Sequence, residues 1–171
     1  LPIDQRARMG LGYLAQEPSV FRDLTVEQNI MCILESIPMK DSERKVRLEE
    51  LLQELHIEKL AKKKAALLSG GERRRLEITR ALITNPTCLM LDEPFANIDP
   101  IAIADVKHII KLLAKKNIGI LITDHNAREI FSVVDRSYLV NEGKVLLSGT
   151  VHELLADPLA KTAYFGEHFH L

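Results

Sequence analysis

The second half of this chain alternates short apolar runs with helical patterns, and that alternation restricts the fold more than any other feature. "TCLMLD" (87–92), "IGILITD" (118–124), "SYLVNEG" (137–143) and "KVLLSG" (144–149) are each six or seven residues long, with helical patterns separating the first three. Continuous rather than alternating apolar runs predict parallel strands buried on both faces. Asp99-Pro100 makes a helix start, and Ile103, Val106, Ile109, Ile110 and Leu113 supply its buried stripe. "NEGKV" predicts a hairpin-like turn between the last two strands. Thr150 with Glu153 caps one more helix, which stops before Pro158.

The first half has another texture. "GLGYLAQ" (10–16) predicts a short strand ending in a polar residue. Thr25 with Gln28 forms a capping box opening a helix, and Pro38 closes it. From Asp41 the pattern is strongly helical, with Leu48, Leu51, Leu52 and Leu55 on one face. The prediction is a three-layer α/β core, residues 1–19 and 76–171, carrying a helical segment over residues 20–75.

Composition narrows the function. With 23 basic and 24 acidic residues the net charge is −1, so no broad basic surface for nucleic acid is expected. The clusters Lys62-Lys63-Lys64 and Arg73-Arg74-Arg75 are explained as solvated helix ends. Cys32 and Cys88 lie in apolar stretches without metal-ligand spacing and are expected to be buried free thiols. No apolar run approaches the length needed to span a bilayer.

Asp92 and Glu93 follow "LML" at the carboxyl end of a predicted parallel strand, where open α/β sheets bind ligands. The pleat turns neighbouring side chains in different directions. One carboxylate can then hold a water on Mg²⁺ while the other orients an attacking water. In "LSGGERRRLEI" (68–78), Ser69 and Glu72 form a capping box, and a well-capped helix is a sufficient structural explanation. Gly70 and Gly71 lower helix propensity in the first turn and leave its N–H groups uncovered, which suits a phosphate. His125, past the "ILIT" strand, is placed to donate to a terminal phosphate or to cap a helix locally. Gln16 ends a strand where it could meet Mg²⁺ or water. Asp99 is explained as an N-cap.

The order Gln16, Ser69-Gly70-Gly71, Asp92-Glu93, Asp99, His125 at sheet-edge positions resembles the ATP-binding-cassette ATPases. "LSGGE" looks like the family signature, "CLMLDE" like the Walker B strand with a catalytic glutamate at Glu93, and "NIDP" like the D-loop. His125 matches the switch histidine and Gln16 the Q-loop glutamine. Asn97-Ile98 stand where the family usually has glycine and valine; asparagine tolerates glycine-like backbone angles. "LSGGERRRLEITRAL", "LITDHNARE" and "AYFGEHFHL" are similar to the cytoplasmic ATPase of bacterial lipopolysaccharide-export transporters.

The resemblance implies a P-loop NTPase, RecA-like core with a helical subdomain, and ATP with Mg²⁺ as ligands. It implies Glu93 and His125 as catalytic, and Asp92 with Gln16 at the metal. Ser69, Gly70, Gly71 and Asp99 would belong to a nucleotide site shared with a second copy. It further implies two transmembrane partner subunits, a position on the cytoplasmic face of the inner membrane, and a docking groove near Phe21, Leu24 and Val26. The 171 residues contain no G-x-x-x-x-G-K-[ST] loop, which the family places before the Q-loop. The expectation is therefore an N-terminally truncated cassette that does not hydrolyse ATP on its own. The competing expectations are a soluble ATPase of the same family acting in DNA repair or translation, and a partner-binding remnant.

Overall fold

The computed structural model describes residues 1–160. They form two compact units, Leu1–Asp124 and the residues from His125 on.

The first unit opens with a short helix, α1 (Ile3–Arg8), which the sequence did not predict, and strand β1 (Leu11–Leu14). Helix α2 (Val26–Leu34) begins at Thr25, whose side chain accepts the Gln28 N–H while the Gln28 side chain accepts the Thr25 N–H. Such a cap contributes about 1 kcal/mol. Helix α3 (Asp41–Glu54) follows, then two 3-10 turns at Glu58–Leu60 and Ala65–Leu67. Val26, Ile30, Leu34, Leu51, Leu55 and Ile57 are nearly or fully buried together with Leu76 and Ile78 of α4 (Gly70–Leu82). Each such side chain contributes roughly 1.5–3 kcal/mol of hydrophobic stabilisation. Strand β2 (Cys88–Asp92), helix α5 (Pro100–Lys115) and strand β3 (Gly119–Thr123) complete the unit.

The sheet is parallel with order β1-β2-β3, so β2 is the central strand. Its register pairs Tyr13 with Met90 and Asp92 with Thr123. Gly12, Leu14, Leu89 and Leu91 are buried on one face, whereas Tyr13, Leu121 and Thr123 are exposed on the other. Burial on both faces was the expectation from the apolar texture. Among the described residues only one face is well covered, by packing that involves α4 and α5.

The second unit contains α6 (Ala127–Phe131), β4 (Ser137–Asn141), β5 (Lys144–Gly149), α7 (Val151–Ala156) and α8 (Pro158–Ala160). The expected hairpin between β4 and β5 is present, but β4 does not continue the parallel sheet. It pairs antiparallel with β5 in a separate two-stranded sheet. Glu142 and Gly143 at the turn have φ of 48° and 75°, both left-handed. Two consecutive left-handed residues bring a chain straight back on itself, so β4 pairs with its neighbour in sequence. The "AYFGEHFHL" stretch lies outside the described residues.

Two smaller expectations are corrected. Cys32 is exposed and Cys88 half-buried, so neither is a core thiol. Val26 is fully buried in the helical cluster, whereas Phe21 is half exposed.

Candidate functional site

Asp92 is the last residue of the central strand, and Glu93 follows with φ of 45°. A glutamate in the left-handed region is strained by roughly 1–3 kcal/mol. Two backbone contacts hold it there. The Glu93 N–H donates to the Thr123 carbonyl at 2.8 Å, and its own carbonyl accepts from Arg74 Nη2 at 3.3 Å. This reversal turns the Glu93 side chain toward the end of β1. There Gln16 Nε2 donates to Glu93 Oε2 at 2.9 Å. Two residues far apart in sequence, each singled out as a site residue, are in direct contact.

Asp92 is held differently. Thr123 Oγ1 donates to Oδ1 at 2.6 Å, and the Tyr13 hydroxyl donates to Oδ2 at 3.2 Å. The carboxylate of Asp92 and the amide oxygen of Gln16 are hard oxygen donors. They fit Mg²⁺, which takes one or two carboxylates with waters and substrate phosphates. They do not fit a zinc-type site, and among the described residues no cluster of three or more metal-ligating side chains exists.

The signature segment is built around helix α4. Ser69 is its N-cap: Ser69 Oγ accepts the Glu72 N–H at 3.2 Å, and Glu72 Oε2 accepts the Ser69 N–H at 2.8 Å. The capping explanation therefore holds in full for Ser69, whose side chain is nonetheless exposed. The two glycines are not equivalent. A Cβ on Gly71 would stand 2.7 Å from Ala102 Cβ of α5, so this position must be small for the helices to pack. A Cβ on Gly70 would meet the Ile98 side chain at 3.3 Å and the Asn97 carbonyl at an ordinary 3.6 Å. Asp99 caps α5, with Oδ1 accepting from the N–H groups of Ile101 and Ala102, both at 3.0 Å. Asn97 has φ of 57°, the glycine-like angle anticipated for it. Ser69, Gly71 and Asp99 line a surface groove of about 370 Å³ whose wall also carries His56, Lys59 and Arg75.

The expected site residues thus form two groups in the first unit. Gln16, Asp92 and Glu93 meet at the sheet end; Ser69, Gly71 and Asp99 share the groove, with Gly70 against the Asn97-Ile98 segment. His125 is the first residue of the second unit and is exposed before α6.

Arg74 was missed. Its cluster was expected to be a solvated helix end, yet Arg74 is only 5% exposed. Arg74 Nη1 pairs with Glu77 Oε2 at 3.0 Å and reaches the Ala15 carbonyl at 3.5 Å, while Nη2 holds the Glu93 carbonyl. One guanidinium therefore joins α4 to the residue before Gln16 and to Glu93 itself. Burial pushes the Arg74 guanidinium below its ordinary value and the Glu77 carboxyl above its own, each only partly offset by the other's charge. The signal was in the sequence: Arg74 and Glu77 are three apart, on a helix face that also carries Ile78. Tyr13 and Thr123 were missed too, because a hydroxyl beside an acidic residue leaves no spacing pattern.

The sequence matches the ABC transporter family over residues 2–96. It is 48% identical over 171 residues to the lipopolysaccharide export system ATP-binding protein LptB of Acidithiobacillus ferridurans, covering all of this chain and 71% of that protein. It is likewise 48% identical to LptB of Escherichia coli K12 over 172 residues, with the same coverage. Among solved structures, cbiO1 of Clostridium perfringens, part of the transporter complex cbiONQ, superposes with a TM-score of 0.82 at 27% identity, covering 90% of this chain and 62% of that one. The ADP conformation of MJ1267, an ATP-binding cassette of an ABC transporter, gives 0.80 at 26% identity, with coverage of 95% and 71%.

Proposed function

This chain belongs to the ABC transporter family, as an ATPase of that type, and from that premise we propose that it powers lipopolysaccharide export as the ATP-hydrolysing subunit of an inner-membrane transporter. The export assignment is supported by the 48% identity to two LptB proteins across the whole chain. Two copies act together on two transmembrane subunits, and the protein lies on the cytoplasmic face of the membrane. Among the described residues no helix is long and apolar enough to cross a membrane.

The observation that carries the chemistry is the hydrogen bond from Gln16 to Glu93, made beside Asp92 at the carboxyl end of the central strand. Glu93 acts as general base: it takes a proton from the water that attacks the terminal phosphate, and Gln16 orients its carboxylate. Asp92 and Gln16 would hold Mg²⁺, whose charge would neutralise that developing on the phosphate oxygens. Ser69, Gly70 and Gly71 face the terminal phosphate of the nucleotide bound by the second copy. His125 serves the terminal phosphate of the nucleotide bound by its own subunit, and Asp99 links the two sites.

Glu93→Gln tests this assignment, because the amide keeps the shape and removes the base. Turnover in the full-length protein, assembled with its membrane partners, should fall by roughly a hundredfold or more, while ATP binding persists and dimers accumulate. Steady-state hydrolysis near the unsubstituted rate would exclude Glu93 as the base. Lipopolysaccharide release from proteoliposomes, measured on the same assembly, tests the export assignment separately.

A further inference from the structure

We propose that Tyr13 and Thr123 are positioning residues that lock the Asp92 carboxylate in the orientation in which it receives the divalent cation. This inference rests on the assignment of Asp92 as a metal-site residue.

The geometry comes directly from strand order. Asp92 ends the central strand, so it has a neighbour on each side. Thr123 is its register partner on β3. On β1, Tyr13 pairs with Met90, two residues before Asp92 and therefore on the same face of the pleat. A phenol is long enough to reach forward along the strand to Asp92; a shorter side chain at position 13 would not be. One hydroxyl is thus delivered from each flanking strand, to Oδ2 at 3.2 Å and to Oδ1 at 2.6 Å. With both oxygens engaged, rotation of the carboxylate about its last torsion breaks at least one hydrogen bond. Each carboxylate oxygen has a second lone-pair site, so the two hydroxyls orient the group without saturating it.

Among the described residues, neither side chain is held by burial. Tyr13 is 50% exposed and Thr123 lies on the same open face, so a simple strand former would serve the sheet as well. Partners that orient a metal-binding group typically change affinity by about 10–100-fold when removed.

The test uses Mn²⁺ as the probe, with the free ion counted by electron paramagnetic resonance, on Tyr13→Phe, Thr123→Val, Thr123→Ser and Asp92→Asn. Tyr13→Phe and Thr123→Val should each weaken Mn²⁺ binding about tenfold with unchanged melting temperature, and Thr123→Ser should restore it. Unchanged Mn²⁺ affinity in both hydroxyl variants, with Asp92→Asn strongly weakened, overturns this inference alone. Unchanged affinity in Asp92→Asn overturns the metal assignment and this inference with it. A loss of affinity that follows a loss of thermal stability makes the hydroxyls structural and overturns the inference as well.

Discussion

Replacing Arg74 with methionine should destabilise the protein by about 3 kcal/mol. Arg74 and Glu77 have side chains only 6% and 3% exposed. Removing one partner of such a pair leaves the other charge buried without its counterion, at a cost of roughly 3–5 kcal/mol. The lower end applies here, because Glu77 already has a raised carboxyl pKa and can escape part of the penalty by taking a proton. The two contacts to the Ala15 and Glu93 carbonyls add little, at 3.5 and 3.3 Å. For a chain of this size about 3 kcal/mol corresponds to a melting-temperature loss of about 6–12 °C.

The penalty has a sign in pH. A carboxyl whose folded pKa is raised favours the folded state most below its unfolded value, and that favour is lost as pH rises through the folded value. The deficit of Arg74→Met should therefore shrink on acidification toward the ordinary carboxylate range and be largest at neutral pH. Substituting both partners, Arg74→Met with Glu77→Leu, removes both buried charges and should recover most of the stability. It should not recover turnover fully, since the guanidinium contact to the Glu93 carbonyl is then gone. Urea unfolding of the parent and the two variants across pH, beside ATPase assays, is the measurement. A single variant within 1 kcal/mol of the parent, or a double variant no more stable than the single, would refute the reasoning.

Three further outcomes are expected. Gly71→Ala should cost about 1–3 kcal/mol through overpacking against Ala102, and Ala102→Gly in the same chain should relieve it; a Gly71→Ala melt matching the parent would show that α4 and α5 have room. Glu72 is pushed up by partial burial, but the Ser69 N–H and Lys63 more than offset this and hold it below its ordinary 4.5; its contribution is present above that value and lost as pH falls through the lower folded one, so Glu72→Gln should flatten the acid limb of the stability profile, and an unaltered limb would remove Glu72 from it. Phe21→Glu should leave the melting temperature nearly unchanged, because Phe21 is 51% exposed and its ring stacks on Arg80 at 5.1 Å, while loss of co-purifying transmembrane subunits would place it in the docking groove; a large drop in melting temperature would assign it to the core.

What could be read from residues alone was whatever depends on local chemistry. Thr25-Gln28, Ser69-Glu72, Asp99-Pro100 and Thr150-Glu153 all start helices as their capping chemistry requires. The strands β1, β2 and β3 lie where the apolar runs place them, and Gln16, Asp92 and Glu93 assemble at the sheet end. What was not legible depends on packing between distant segments. Apolar texture in "ILIT" could not reveal that one sheet face is open, because exposed and buried apolar residues are the same letters. Three consecutive arginines look alike in sequence, yet α4 turns Arg74 inward and leaves Arg73 and Arg75 half-buried. Gly71 was singled out for a phosphate cradle, and its tight approach to Ala102 adds a packing role that no spacing rule supplies.

The left-handed backbone at Glu93 sets a trap for anyone engineering this protein for heat resistance. Asparagine or glycine at position 93 would relieve the torsional penalty and raise the melting point, as glycine-like angles allow. Either would also delete the carboxylate that Gln16 orients. With Glu93 as the proposed base, a library screened only for survival at high temperature would enrich inert variants at this position. Stability and turnover are opposed here within a single residue, by the same φ of 45°. A screen that couples survival to phosphate release would hold Glu93 in place and push the gains to positions such as Glu142, where asparagine relaxes the hairpin turn at no cost to the chemistry.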